Sequence, residues 1–354
     1  MQKKVLWVSP FVMNLNRIDP WYWCRYFVDV YPECPFGCSY CHTLRKGNLR
    51  GVDFIQGLPG GPRTIGLGLI SDVYHPDPAH NRVTRSVLDI LWSRGHSISI
   101  QTKSVAILHD LNLLERFTKR KAVQVTFTIL TCDSRLASKL EGCAPSPGER
   151  LAALRVLTKK GIPAGVAVTP IIPFLTDDRE ALTHLIREAK HSGASWVLFS
   201  GLNLLPSLFQ QPYMRDITPL YSDEARLNRR YREIKHFMVN LLHEEGLPMR
   251  IPRLNPDPAD PRHLPRTVSE YLFNISYLYE LLENTLQSKR YWRAAHQINE
   301  LEGSLKSIVF KKKLGYIKGI NPEIERVIGE TVMDGSPQLY ETLYRNLMAR
   351  ASNG

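Results

Sequence analysis

Apolar positions along the chain follow two alternating rhythms. Short runs rich in β-branched and aromatic residues at 26–30, 64–70, 97–101, 123–129, 164–168 and 196–199 predict strands. Between them lie segments whose apolar residues return every three to four positions, as on one face of a helix. One such segment spans 84–92, another runs through Leu108, Leu111, Leu114 and Phe117, and a third covers 178–189. A further helix is predicted to start at Pro147, with Ser146 as its cap and Glu149 closing a capping box. Strand and helix alternating six times implies a parallel α/β sheet with right-handed crossovers, curling toward a partial (β/α)6 barrel. The working face of such a sheet is the C-terminal edge of its strands. That edge would carry Cys34, Cys38, Cys41, Ser71, Asp72, Lys103, Thr131 and Thr169.

The rhythm changes after a helix predicted for 222–246. Residues 251–265 hold Pro252, Pro256, Pro258, Pro261 and Pro265 and read as a linker. Beyond it the pattern is helical throughout, with one stripe of Tyr271, Leu272, Ile275, Leu278 and Leu282 and another of Leu301, Leu305 and Ile308. The expected organisation is therefore an α/β domain over 1–250, a proline-rich linker over 251–265 and an all-α domain over 266–354.

Composition narrows the class. With 354 residues, 43% of them hydrophobic and 23% charged, the chain can bury a large core, and it is neither a disordered tail nor a disulfide mini-scaffold. No apolar run reaches the ~20 residues of a membrane span. The stretch Val5-Leu6-Trp7-Val8 is too short for a signal peptide and is soon followed by Asn14, Arg17 and Asp19, so a cytoplasmic protein without a membrane partner is expected. A net charge of +12 favours polyanionic partners without requiring one.

Three of the six cysteines fall within eight residues, Cys34-Pro-Phe-Gly-Cys38-Ser-Tyr-Cys41, and the others, Cys24, Cys132 and Cys143, are scattered. That is no disulfide framework. Three thiolates on one loop without a fourth at similar spacing suit a [4Fe-4S] cluster with one open iron. A Cys3His zinc site using His42 is the alternative at this point.

The CxxxCxxC string, directly after the first strand of a β/α repeat and with Tyr40 before its last cysteine, resembles the radical S-adenosylmethionine (SAM) superfamily. Four more stretches, in order, resemble its spore photoproduct lyase-like or "DNA repair photolyase" branch: Ser71-Asp72-Val73-Tyr74-His75-Pro76, Gln101-Thr102-Lys103-Ser104, Glu141 to Ser146 with Glu149-Arg150, and Val168 to Pro173. The resemblance spans residues 25 to 200. It implies a partial barrel of radical SAM type, in which Cys34, Cys38 and Cys41 hold three irons and the fourth chelates SAM. It further implies that Tyr40 packs beside the adenine, that Ser71, Lys103 and Thr128 contact SAM, and that Pro170 and Ile171 form a turn by the adenine. Lys103 would pair with the SAM carboxylate. Asp72 would orient Ser71 or cap the next turn, and Arg150 would be a SAM ligand or pair along its own helix. A one-electron donor such as flavodoxin or ferredoxin is implied as a partner. The lyase ends its second strand in Cys-Thr-Ser-Asp, whose cysteine returns a hydrogen atom to the product; here Leu69 stands at that position. Cys132 and Cys143 are the substitute hydrogen-donor candidates.

In the C-terminal part, residues 314–328 resemble a helix-hairpin-helix, with Lys311, Lys312, Lys313, Lys318 and Gly319 as candidate nucleic-acid contacts. The expected function is a radical SAM enzyme that abstracts hydrogen from nucleic acid, in DNA repair or modification. A peptide or small-metabolite substrate, or a non-enzymatic nucleic-acid-binding protein with a structural Fe–S or zinc site, are the competing readings.

Overall fold

The computed structural model describes residues 17–28, 30–31, 34–41, 63–202, 212–255 and 257–352. The chain divides into two compact units, Met1–Leu254 and Asn255–Gly354.

The first unit is built on six strands: β1 (Tyr26–Val28), β2 (Thr64–Leu67), β3 (Ser97–Thr102), β4 (Val123–Thr128), β5 (Ala164–Ile171) and β6 (Val197–Gly201). They form one sheet in sequential order, each parallel to its neighbour. Right-handed crossovers taken in sequential order put every connecting helix on the same face, which bends the sheet into an arc of a barrel. The crossovers are α1 (Pro78–Ser93), α2 (Leu111–Lys119), α3 (Ser134–Glu141) followed by α4 (Pro147–Lys159), and α5 (Arg179–His191). A long helix, α6 (Glu224–Glu244), follows β6. Every residue of β4 and β6 is buried, the pattern of strands covered on both faces. The predicted capping box is present: Glu149 N–H donates to Ser146 Oγ, and Ser146 N–H donates to Glu149 Oε2 at 2.7 Å.

Two strands are shorter than their apolar runs. β1 ends at Val28, and β2 ends at Leu67 rather than at residue 70. Gly68 explains the second case, because it adopts φ +78° and a Cβ there would lie 1.9 Å from the carbonyl oxygen of Gln101. The backbones of β2 and β3 thus approach at their C-terminal ends more closely than any side chain would allow. The turn frees Ser71 and Asp72 from the sheet.

The second unit is helical: α7 (His263–Leu281), α8 (Thr285–Asn299), α9 (Leu305–Phe310), α10 (Pro322–Asp334) and α11 (Gln338–Ser352). α7 is the hub and touches each of the other four. Its Leu272, Ile275 and Leu278 are buried as the stripe predicts, and Ser276 Oγ donates to Ser288 O of α8 at 2.8 Å. α7 begins inside the predicted linker, with Pro265 in its first turn, where no helical partner for an N–H is needed. Among the described residues, no helix is long and apolar enough to cross a membrane.

Candidate functional site

The cysteine loop follows β1 and is held by backbone that is distant in sequence. Leu140 O accepts both Ser39 N–H at 2.8 Å and Ser39 Oγ at 3.1 Å, and Cys143 N–H donates to Phe36 O at 3.4 Å. Gly142 permits the contact, since a Cβ there would meet Phe36 O at 2.5 Å. The end of α3 therefore clamps the loop. Phe36, Cys38 and Tyr40 pack with Leu130, Leu140, Ile172, Leu202 and Met214, and Cys34 and Cys41 lie against that cluster.

Around Cys38 stands a buried charged network. Arg150, on the first turn of α4, points inward: its Nε donates to Pro145 O at 2.7 Å, its Nη1 to Thr128 O at 2.8 Å, and its Nη2 lies 2.5 Å from Glu141 Oε2. The other oxygen of Glu141 accepts the Tyr40 hydroxyl. Lys103 places its ammonium 5.7 Å from the centre of the Tyr40 ring. Burial opposes the charge on Lys103, but Cys38, Glu141 and Asp72 attract it and hold its pKa above the ordinary lysine value. The Cys38 thiol is pushed up to about 11 by burial, with the Lys103 charge pulling the other way. Burial also raises the Cys34 thiol, against hydrogen bonds from the backbones of Phe36 and Asp72.

Asp72 ties the ends of two strands together. Its Oδ1 accepts from Tyr74 N–H at 3.0 Å and Thr102 Oγ1 at 2.7 Å, and its Oδ2 from Lys103 N–H at 2.6 Å. It therefore caps the turn after β2 and fixes the backbone of Lys103, while Ser71 Oγ donates to Tyr31 O at 3.2 Å. Thr128 ends β4 and accepts a bond from Gln101 Nε2 at 3.0 Å. Pro170 and Ile171 close β5 where its register against β6 shifts. Thr131 Oγ1 accepts from Asp133 N–H at 3.1 Å and shapes the entry to α3.

Cysteines, Tyr40, Asp72, Lys103 and Thr128 are thus linked through one network, and Glu141 and Arg150 join it. Arg150 is neither a surface partner along its helix nor open to solvent. The role of Glu141 is not evident from its motif alone, although a signal exists: a carboxylate in the last turn of a helix opposes the helix dipole and calls for a cation from elsewhere. Cys132 faces differently. It is half-buried, and burial with the nearby Glu188 of α5 pushes its thiol up to about 11. Cys143 is exposed, at the edge of the cysteine loop through its amide.

The donor set suits an iron–sulfur cluster in kind: three soft sulfur ligands on one loop, beside a lysine that offsets their charge once deprotonated. Among the described residues, no three His, Cys, Asp or Glu side chains converge closely enough to hold a single metal ion. A mononuclear zinc site needs its sulfurs all ~2.3 Å from one point, whereas a cluster binds each thiolate to a different iron. His42 lies outside the described residues.

In the second unit, Lys311, Lys312, Lys313, Lys318 and Gly319 are all exposed between α9 and α10. Gly319 turns the chain at φ +88°. The start of α10 offers less to a phosphate than the sequence suggests. Asn321 Oδ1 already accepts Ile324 N–H at 2.9 Å, and Glu323 and Glu325 occupy the first turn.

No protein-family model matches the chain. An uncharacterized protein of Mycobacterium tuberculosis is 28% identical over 202 residues, covering 51% of this chain and 59% of that protein. An uncharacterized protein of Acidianus two-tailed virus is 33% identical over 135 residues, 37% of this chain and 44% of the viral protein. The chain thus spans less than two-thirds of the curated relatives it matches. Among solved structures, a spore photoproduct lyase mutant with bound AdoMet and dinucleoside spore photoproduct aligns with a TM-score of 0.45 at 15% identity, over 58% of this chain and 65% of that one. Streptococcus suis SuiB bound to its precursor peptide SuiA gives a TM-score of 0.45 at 14% identity, over 63% of this chain and 47% of that one.

Proposed function

We propose that the first unit is a radical SAM enzyme. The observation that carries this reading is the meeting of a three-cysteine loop with Lys103, Tyr40 and Asp72 at the C-terminal edge of a sequential parallel sheet. Cys34, Cys38 and Cys41 would hold a [4Fe-4S] cluster. When bound and reduced, it supplies one electron that cleaves SAM to methionine and a 5'-deoxyadenosyl radical able to take a hydrogen atom from a substrate.

The chain's own residues prepare that site. Lys103, its charge favoured by the surrounding anionic groups, would meet the SAM carboxylate. Asp72 holds the lysine backbone in place. Glu141 fixes the Tyr40 hydroxyl, so the ring presents a fixed face at the site. The buried Arg150–Glu141 pair ties the cysteine loop, through Tyr40, to the end of β4. Ser71 follows β2, Thr128 ends β4, Pro170 and Ile171 end β5, and all four would line the SAM side. A small one-electron donor, flavodoxin or ferredoxin in type, would supply the electron. Cys143, adjoining the loop, and Cys132 are the thiols that would return hydrogen in place of the lyase cysteine.

Nucleic acid is the substrate class we infer, supported by the exposed lysines of the second unit. The enzyme reading is tested by anaerobic reconstitution with iron and sulfide, followed by reductant and SAM. The expected result is 5'-deoxyadenosine and methionine, lost on Cys38→Ala. A protein carrying an iron–sulfur cluster that yields neither product would sink the reading.

A further inference from the structure

Between Gly303 and Ile320 the chain has five lysines, Lys306, Lys311, Lys312, Lys313 and Lys318, and no aspartate or glutamate. Two aromatic rings interrupt this run and stay in solvent. Tyr316 is 87% exposed and Phe310 59%. A single exposed ring is ordinary, but two within one cationic run make a surface that can both attract and stack on a ligand. The segment that bears them is anchored. Leu314, which lies between the two in sequence, is buried, Ile317 N–H donates to Leu314 O at 2.9 Å, and Ile320 N–H donates to Ile317 O at 3.1 Å. Lys306 Nζ lies 6.0 Å from the Phe310 ring centre. One acid approaches the segment: Oε2 of Glu325 on α10 would be 4.0 Å from a Cβ at Gly315.

Lysines alone attract any polyanion, paired or unpaired. Exposed rings discriminate. The bases of a duplex already stack on one another, whereas an unpaired base offers a face to a tyrosine or phenylalanine. The amides at the start of α10 are not the gripping element, since Asn321 and two carboxylates occupy that end.

We propose that residues 306–319 form a docking surface for single-stranded nucleic acid, the lysines lying along phosphates while Tyr316 and Phe310 stack on unpaired bases. The proposal rests on the nucleic-acid reading above and narrows it to an unpaired strand.

The test is fluorescence anisotropy on the full chain, without SAM or reductant. Its probes are a labelled oligothymidylate, an abasic strand of equal length and a duplex. Oligothymidylate should bind most tightly. Tyr316→Ala should weaken it roughly 5- to 150-fold, the range of ~1–3 kcal/mol per stacked base, with the abasic strand unaffected and Tyr316→Phe retaining binding. Reversing Lys311, Lys312 and Lys313 to Glu should weaken all three probes and flatten the salt dependence by ~0.7 per lost phosphate contact on a single strand. So exposed a side chain leaves the fold intact when removed, and circular dichroism of Tyr316→Ala verifies that. Equal binding of all probes, or indifference to Tyr316→Ala, overturns the proposal while nucleic-acid binding stands. Binding of none sinks the nucleic-acid reading as well. Polyglutamate competing as well as oligothymidylate would assign the surface to an acidic polypeptide instead. None of these outcomes bears on deoxyadenosine formation, which is measured separately.

Discussion

Arg150→Met removes the cation from a pair whose side chains are only 1% and 2% exposed. The side chain is similar in length, so the space stays filled, but three carbonyl or carboxylate acceptors lose their donors: Pro145 O, Thr128 O and Glu141 Oε2. Glu141 keeps the Tyr40 hydroxyl as a hydrogen-bond donor but loses the cation in contact with its carboxylate. Removing one member of a buried ion pair costs about 3–5 kcal/mol, because the remaining charge has neither water nor partner. Cys38 is buried beside this network, so its alkylation as a function of urea, read by mass spectrometry, reports opening of this unit rather than of the helical one. Arg150→Met should shift the opening free energy by ~3 kcal/mol or more. Glu141→Gln with Arg150→Met should recover much of that, since an amide still accepts the Tyr40 bond and no bare charge remains. A shift of Arg150→Met below ~1 kcal/mol, typical of a solvent-screened pair, would refute the reasoning.

The other predictions concern neighbouring features. Lys103→Met should weaken SAM binding to the reconstituted protein by roughly 10- to 150-fold, the worth of a charge-assisted hydrogen bond of ~1.5–3 kcal/mol, measured by equilibrium dialysis; unchanged affinity would remove Lys103 from the SAM side. Gly68→Ala places a methyl group 1.9 Å from Gln101 O and should destabilise the sheet edge far more than Gly161→Ala. Gly161 shares a positive φ of +72° but has open space around it, so it should lose only the ~1 kcal/mol of left-handed strain, as compared by thermal melts. Cys143 should be alkylated well before Cys132 at pH 8, because the Cys132 thiol, with a pKa of about 11, stays protonated there. Raising the pH toward 11 should speed Cys132, read by peptide mapping.

What the chain determined by itself is local. The alternation of strand and helix, the Ser146–Glu149 capping box and the spacing of Cys34, Cys38 and Cys41 depend on dihedral preferences and neighbours a few residues apart, so the parallel sheet and its cysteine loop were legible. Strand ends were less so. Leu69 and Ile70 extend an apolar run, but the close approach of Gly68 to Gln101 stops β2 earlier. The partners of the buried charges were decided by tertiary structure alone. Tyr40 and Glu141 are 101 positions apart, and their hydrogen bond exists because the end of α3 lies against the loop after β1. Helical spacing offers Arg150 neighbours on its own surface, yet the α4 start faces the sheet, and a guanidinium facing inward must find Glu141, Thr128 and Pro145. Likewise the lysines after α9 were visible as charge, but only the packing of Leu314 inward shows that Tyr316 is left outside. Periodicity says which face of an element is apolar. Which distant charge waits on the other side is fixed only when the elements meet, because a buried charge must be paired with whatever group the fold brings to it.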